Sequence, residues 1–166
     1  MSDLWLTCAL TMVRPPNKSK RRRPSRPTPK PPQTVRRSKR PVVAEGDVHL
    51  VPRSHPGAGR GGGPGGKAWE IYVGDELAGE TFINFIDEAP FGGHASIQIY
   101  INRSNQGRKI GRTAYRLAAM ESGYDLVYAH MRKSNLASSR AAEEAGFVDV
   151  TPLGAIQKVM VWRQTH

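Results

Sequence analysis

The chain has 166 residues, enough for one domain, and carries a formal net charge of +11 at pH 7. Its single cysteine, Cys8, excludes an intrachain disulfide and any zinc site that needs several thiolates. The apolar run over residues 4–13 is too short to cross a bilayer, and it precedes the basic cluster, which reverses the order of a secretory signal. We therefore expect a cytoplasmic protein with no metal and no membrane contact.

The positive charge is confined to the N-terminal part of the chain. Residues 1–66 hold 14 Lys and Arg against 3 Asp and Glu, whereas residues 67–166 hold 11 of each. Residues 14–41 are nearly all Pro, Lys, Arg, Ser and Thr, so they cannot bury enough apolar surface to offset their conformational entropy. The sequence predicts a disordered basic Pro/Gly-rich arm and linker over residues 1–66 and a compact domain over residues 67–166.

Two interpretations of the arm stay open. A run of Lys and Arg without interleaved aromatic residues favours sequence-nonspecific contact with nucleic acid or another polyanion. The same composition is typical of a solvated linker with no selected partner. Within the arm, residues 42–51 form a weak strand candidate, and residues 52–66 read as a Gly/Pro linker.

From Lys67 onward the pattern becomes regular. The residues expected to form strands are 68–73, 77–86, 97–101, 125–131, 147–150 and 156–162. One helix is expected from Ile110 to the stop signal at Ser122–Gly123. A second is expected over residues 135–145, with Asn135 as N-cap and Gly146 as the residue after its C-terminus. Strands alternating with helices predict a mixed α/β sandwich with parallel pairing at its centre and antiparallel edges.

The stretch from Ser96 to Ala119 combines a strand, a polar glycine-bearing loop and a helix N-terminus. Ile97, Ile99 and Ile101 alternate with polar residues, as in a half-buried strand. The unpaired N–H groups and the dipole at the start of the following helix attract a phosphate. Arg108 and Arg112 add positive charge there, at a helix end that disfavours cations, so an anion is expected nearby.

These residues resemble the acetyl-CoA motif of the GNAT superfamily of N-acetyltransferases, Gln/Arg-x-x-Gly-x-Gly/Ala. Gln106 and Gly111 match that signature, and Lys109 stands at its first glycine. The Lys109 side chain either points outward and leaves its amide usable, or obstructs the loop. A second block, Asn135-x-x-Ser138 followed by Gly146-Phe147, resembles the family's Asn…Gly-Phe motif, and the resemblance covers about residues 67–163.

The resemblance implies a GNAT-like fold: a mixed, mostly antiparallel sheet with a central parallel strand pair and two flanking helices. Acetyl-CoA would lie where the strand of residues 97–101 splays from that of residues 126–130. Backbone groups of the first strand would hold the pantetheine, and the loop amides would hold the pyrophosphate. The cofactor-binding residues implied are Ile99, Ile101, Gln106, Gly107, Arg108, Lys109, Ile110, Gly111, Arg112 and Asn135.

The residues that would move protons are less well marked. Many family members use a tyrosine four residues before the Gly-Phe pair as the general acid, but that position is Ala142 here. Ser138, Ser139 or a water are the substitutes, and Ser138 is the residue we assign.

A general base is also needed. The histone-acetylating branch has a glutamate where this chain has Ala95, and the neighbouring His94 is the assigned base because histidine titrates near neutral pH. Glu80 and Tyr100 are further candidates.

The predicted function is transfer of an acetyl group from acetyl-CoA to a primary amine, on a protein or peptide. The helices that usually wall the acceptor groove have no counterpart in residues 42–66. The groove is therefore open, completed by a partner subunit as in a homodimer, or unused. The alternative prediction is a GNAT-fold module that binds acetyl-CoA without turnover, with the basic arm contacting nucleic acid.

Overall fold

The computed structural model describes residues 40–165. The predicted arm over residues 1–39 lies outside the described residues. Seven strands form one sheet: β1 (Val48–Pro52), β2 (Lys67–Val73), β3 (Glu76–Glu88), β4 (Gly92–Ile101), β5 (Leu126–Arg132), β6 (Val148–Asp149) and β7 (Gln157–Arg163). Two helices longer than a few residues accompany the sheet within the described range: α1 (Ile110–Glu121) and α2 (Leu136–Glu144).

The strand order is β1-β2-β3-β4-β5-β7-β6, and every neighbouring pair is antiparallel except β4 with β5. This arrangement confirms the predicted fold class: a mixed, mostly antiparallel α/β sheet with a central parallel pair and two main helices. Each predicted strand and helix from Lys67 onward is present, with ends moved by a few residues. Asn135 caps α2 by accepting a hydrogen bond from the Ser138 amide, and Gly146 follows the helix with a φ of 94°.

The core lies between one face of the sheet and the two helices. Alternation along the strands turns Ala95 and Ile97 of β4, and Val127 and Ala129 of β5, toward the helices, where they are buried. We call this side the helix face and the opposite side the outer face. The helix face of β1 and β2 joins a second cluster that includes Ile110 at the start of α1. The N-terminal turn of α1 is therefore anchored from below by apolar packing.

Residues 40–66, which the sequence assigns to the arm and linker, contribute a strand to the sheet. β1 pairs with β2 over five residues, and Val43 and Val48 are buried in the cluster that contains Ile110. The predicted domain boundary at Lys67 is therefore corrected toward the N-terminus, since the sheet is one strand wider. The weak strand signal over residues 42–51 corresponds to β1, which ends in Pro52 at an edge of the sheet.

The Gly-rich segment after β1 is also held against the sheet. The Gly61 amide donates to Asn84 Oδ1 at 2.8 Å, and Asn84 Nδ2 donates to the Gly59 carbonyl at 3.0 Å. Gly61 has a φ of 85° and is buried, and a Cβ there would meet the Lys67 carbonyl oxygen at 2.3 Å. Only glycine fits that position. Among residues 40–165, none of the helices has the length and apolar character needed to span a bilayer.

If β1 is part of the folded domain, its two faces should respond differently to truncation. Val48 is 5% exposed and Val51 is 41% exposed. We expect Val48→Ala to lower the free energy of unfolding by about 2 kcal/mol through lost burial and a cavity. The control Val51→Ala should change it by less than about 0.5 kcal/mol. Denaturant unfolding of the full chain measures both changes. Equally small effects of the two substitutions would show that β1 is not packed in the folded domain.

Candidate functional site

The parallel pairing between β4 and β5 is very short. Their register joins only Ala95 to Val127 and Ser96 to Tyr128, after which the two strands diverge. β4 continues to Ile101 bonded to β3, and β5 continues to Arg132 bonded to β7. The backbone groups of β4 beyond Ser96 that face β5 therefore have no ladder partner there, and a wedge-shaped opening separates the strands.

A cleft of about 500 Å³ lies on the helix side of the sheet, beside the part of β4 that has separated from β5. The N-termini of α1 and α2 meet around it, together with the loop before α1 and the turn before α2. Its lining residues are Ile99, Ile101, Asn105, Gln106, Gly107, Lys109, Ile110, Gly111, Arg112, Tyr115, Asn135, Ala137, Ser138, Arg140, Ala141 and Glu144.

Nine of the ten residues predicted to bind a cofactor line this cleft. The exception is Arg108, whose guanidinium donates to Asn105 Oδ1 and whose carbonyl accepts from the Val43 amide at 3.0 Å. Arg108 therefore fastens the loop to the buried segment before β1. Gln106 closes the other end, because its Nε2 donates to the Ile101 carbonyl at 3.1 Å. The role of each lining residue in binding a cofactor stays a prediction.

The start of α1 is arranged to receive an anion. No side chain caps the helix, and its first turn contains no acidic residue. The amides of Ile110, Gly111 and Arg112 thus lack intrahelical acceptors and lie at the positive end of the helix dipole. The Nε of Arg112 is also buried without a hydrogen-bond partner in the described chain. Unsatisfied donors and a cleft beside them fit a phosphate-bearing ligand.

Lys109 sits at the N-cap of α1 in the left-handed region, with φ 64° and ψ 13°. This is the position at which the resembled motif has glycine, and the backbone here adopts a glycine-like conformation despite the side chain. The side chain is directed across the cleft mouth, where Nζ lies 3.3 Å from Glu144 Oε2 of α2. Lys109 therefore leaves the loop backbone in the glycine-like shape and adds a charge to its rim.

Glu144 is the one acidic residue among those that line the cleft. Its Oε2 lies 3.4 Å from Arg112 Nη1 as well as close to Lys109. Arg112 Nη2 lies 3.7 Å from Glu45 Oε1 on the other side. Glu144 is thus already paired with Lys109 and Arg112, the two cations that a bound phosphate would contact.

Ser138, the predicted acid, lines the cleft and has a partner that the sequence analysis missed. Its Oγ lies 2.8 Å from the hydroxyl of Tyr115, which is 4% exposed and stacks edge-on against Phe147. Burial raises the pKa of Tyr115, against a smaller opposing effect of the Ser138 hydrogen bond. The phenol therefore stays protonated and can donate to Ser138 Oγ. Ser139 instead hydrogen-bonds to Glu143 and Lys158, away from the cleft lining.

His94, the predicted base, does not line the cleft. It lies on the outer face, is 5% exposed, and has Nδ1 2.7 Å from the Gly92 carbonyl and Nε2 2.9 Å from Nε2 of His130. His130 on β5 was not identified from the sequence, although strand alternation with the buried Ala129 and Met131 would have put it on the outer face.

The other two base candidates also lie away from the cleft lining. Glu80 is ion-paired with Arg53 and Arg60, and Tyr100 is 55% exposed and stacked on Phe82.

Several solved structures are similar to this chain. They include the microcin C7 self-immunity acetyltransferase MccE in complex with acetyl-CoA and AMP (20% identity, TM-score 0.48, covering 60% of this chain and 61% of that one). The spermidine N-acetyltransferase from Vibrio cholerae in complex with CoA and spermine has 24% identity and a TM-score of 0.48, covering 60% of this chain and 66% of that one. YncA, a putative acetyltransferase from Salmonella typhimurium with its cofactor acetyl-CoA, has 16% identity and a TM-score of 0.47, covering 60% and 65%.

The chain thus spans 61–66% of the length of these three proteins. No family model matches the sequence, and no curated protein matches it. The strand order and the central parallel pair agree with the mixed α/β fold predicted from the sequence.

The backbone of Lys109 supplies a stability test of the loop. Lys109→Ala removes the pairing with Glu144 but keeps a Cβ in the left-handed region, whereas Lys109→Gly removes both. We expect the glycine variant to have the larger free energy of unfolding by about 1 kcal/mol, the reverse of the usual order for these residues. Denaturant unfolding compares the two, and an alanine variant that is equally or more stable would contradict a left-handed Lys109.

Proposed function

We propose that this chain binds acetyl-CoA in the cleft between β4 and β5 and transfers its acetyl group to a primary amine. The observation that carries the proposal is the junction of two features in one cleft. An uncapped helix N-terminus with an unsatisfied Arg112 Nε lies at one end, and the diverging edge of β4 lies beside it. This pairing suits a ligand with phosphates at one end and an amide-bearing arm beyond them.

The phosphate end of the ligand would be held by the loop before α1. The free amides of the first helical turn would donate to the pyrophosphate, and Arg112 would add a charged donor whose Nε has no other partner in the described residues. A Cβ added at Gly111 would lie 3.4 Å from Ala141 Cβ and near no other side chain, so there is open space beside the first turn of α1. Lys109 would contribute charge from the rim.

The extended arm of the ligand would run along β4. Beyond Ser96 the edge of β4 that faces β5 has unpaired backbone donors and acceptors, so an amide-bearing chain can add to it as a strand would. Ile99 and Ile101 supply an apolar floor, and Asn135 marks the opposite wall at the start of α2.

Acetyl-CoA supplies the thioester that is cleaved. On the protein side, Ser138 is the acid that we propose, acting on the departing sulfur. Tyr115 would orient it: the buried phenol donates to Ser138 Oγ and leaves the serine proton free to point into the cleft. This hydroxyl pair stands in for the tyrosine that Ala142 replaces.

A binding module without turnover is the second candidate. The observation that favours it is Glu144, which already occupies the cations at the cleft mouth. Calorimetric titration of the full chain with acetyl-CoA, followed by thiol release with a panel of primary amines and lysine peptides, separates the candidates. Binding with turnover supports the enzyme, binding without turnover on any amine supports the module, and no binding refutes both.

The first prediction from this placement concerns Gly111. Gly111→Glu should abolish measurable acetyl-CoA binding, because it adds bulk and a negative charge beside the pyrophosphate. The matched control is Gly111→Ala, whose Cβ would make an ordinary contact with Ala141, and it should keep affinity within several-fold. Titration calorimetry reads both variants. Equal affinities for the two would refute the placement of the phosphates.

The second prediction concerns Glu144. Glu144→Gln should raise the affinity for acetyl-CoA about two- to fivefold, because Lys109 and Arg112 no longer share their charge with a carboxylate at an exposed rim. Glu143→Gln is the control, since Glu143 pairs with Lys158 outside the cleft. It should leave affinity unchanged. Weaker binding by Glu144→Gln would mean that the carboxylate itself helps to hold the ligand.

A further inference from the structure

We propose that His130 is the base that takes the proton from the attacking amine, that His94 is its positioning residue, and that the amine enters from the outer face of the sheet. This inference rests on the proposed function, because it names the acceptor side of the same site. It changes the sequence-based assignment of His94 from base to support.

The hydrogen bond between the two histidines has a defined direction. His94 Nδ1 lies 2.7 Å from the Gly92 carbonyl, which can only accept, so Nδ1 carries the proton and donates. The other ring nitrogen of neutral His94, Nε2, is then an acceptor. Since it lies 2.9 Å from His130 Nε2, that atom must be the donor. His130 therefore has its lone pair on Nδ1, and this is the atom that can accept a proton.

The position of His130 follows from the strand register. Tyr128 is the last β5 residue paired with β4, and alternation makes His130 the next residue of β5 on the same face. His130 thus flanks the opening just where the strands separate. The cleft residues Ile99 and Tyr115 lie on the helix face, so His130 borders the opening from the other side.

The outer face around the pair suits an approaching amine. Phe91 and Tyr128 form an aromatic cluster, with Phe91 5.1 Å from Tyr128 and 6.1 Å from His130 between ring centroids. Neither α1 nor α2 covers this face, because both pack on the opposite one. The His94 ring is held in place, because it is buried (5% exposed) and its Nδ1 is hydrogen-bonded to the Gly92 carbonyl.

The titration of His130 is consistent with this role. Burial lowers its pKa, the nearby His94 lowers it further, and Glu88 acts in the opposite direction. Tyr128 is the other titratable group in ring contact with it, at 6.5 Å. Near neutral pH the ring is therefore an uncharged base, and protonation as the pH falls would remove it from the reaction.

Protons and electrons are conserved in the proposed acetyl transfer. The amine nitrogen forms a bond to the acetyl carbonyl carbon and gives one proton to His130 Nδ1. The carbon–sulfur bond breaks, the sulfur keeps the electron pair, and it is protonated through Ser138 or by solvent. His130 returns its proton to solvent, so the products are the acetylated amine and the free thiol.

Hydroxylamine is a suitable nucleophile for the test, because it is a small amine that needs no acceptor-specific contacts. Thiol release from acetyl-CoA is followed with the full chain across pH 5 to 9, with acetyl-CoA affinity measured in parallel by calorimetry. Hydroxylamine itself takes up a proton within this pH range, so rates are expressed per unprotonated hydroxylamine. His130→Gln should then lower the catalysed rate about 100-fold and remove the remaining acid limb of the pH profile, with affinity unchanged. His49→Gln on β1, a ring stacked on Tyr72, is the control and should match the parent.

The positioning role of His94 has its own signature. His94→Ala should lower the rate about tenfold with acetyl-CoA affinity unchanged, because His130 Nε2 then loses the acceptor that fixes the tautomer with its lone pair on Nδ1. His94→Gln, whose amide oxygen can accept from His130 Nε2, should recover part of the rate.

Three results would overturn the inference. One is a His130→Gln rate within twofold of the parent. Another is a parent chain that binds acetyl-CoA yet accelerates no amine, which leaves the binding module standing. A parent that binds no acetyl-CoA removes the proposed function as well, so the failures are distinguishable.

Discussion

The separation of β4 from β5 after two paired residues is the constraint on which the rest of the site depends. A sheet normally satisfies its backbone by continuous pairing, so a central gap leaves donors and acceptors without partners. Here the gap is kept open by packing on both sides: β4 stays bonded to β3 and β5 to β7, while α1 and α2 fill the helix face. A ligand that adds its own amides to the edge of β4 resolves the unsatisfied backbone.

Charge at the cleft mouth is balanced within the protein. Lys109 and Arg112 face the helix N-terminus, where cations are disfavoured, and Glu144 offsets part of that cost from α2. The same carboxylate competes with any anionic ligand. The affinity for the proposed anionic ligand would therefore depend on the difference between two exposed electrostatic interactions, each worth a fraction of a kcal/mol to about 1 kcal/mol, rather than on the number of cations in the loop.

The sequence was informative where a local signal decided the structure. Gln106 and Gly111 predicted a loop that does lead into a helix N-terminus, and Asn135 predicted an N-cap that the structure confirms. It was uninformative where tertiary packing decided. The contact of Tyr115 with Ser138 spans 23 residues, and β1 is specified by burial of Val48 more than by its own short pattern. Neither has a periodicity that distinguishes it in advance.

Hydrogen exchange of the full chain, with and without saturating acetyl-CoA, tests whether the ligand binds along the separated edge of β4. Acetyl-CoA should slow exchange of the amides at residues 110–112 of α1 and of those amides of residues 98–101 of β4 that point toward β5, because these groups have no partner on that side in the described residues. The amides of β1 and β2, which are already paired, should change little. Unchanged exchange at both segments, or protection confined to other strands, would contradict a ligand bound in the gap between β4 and β5.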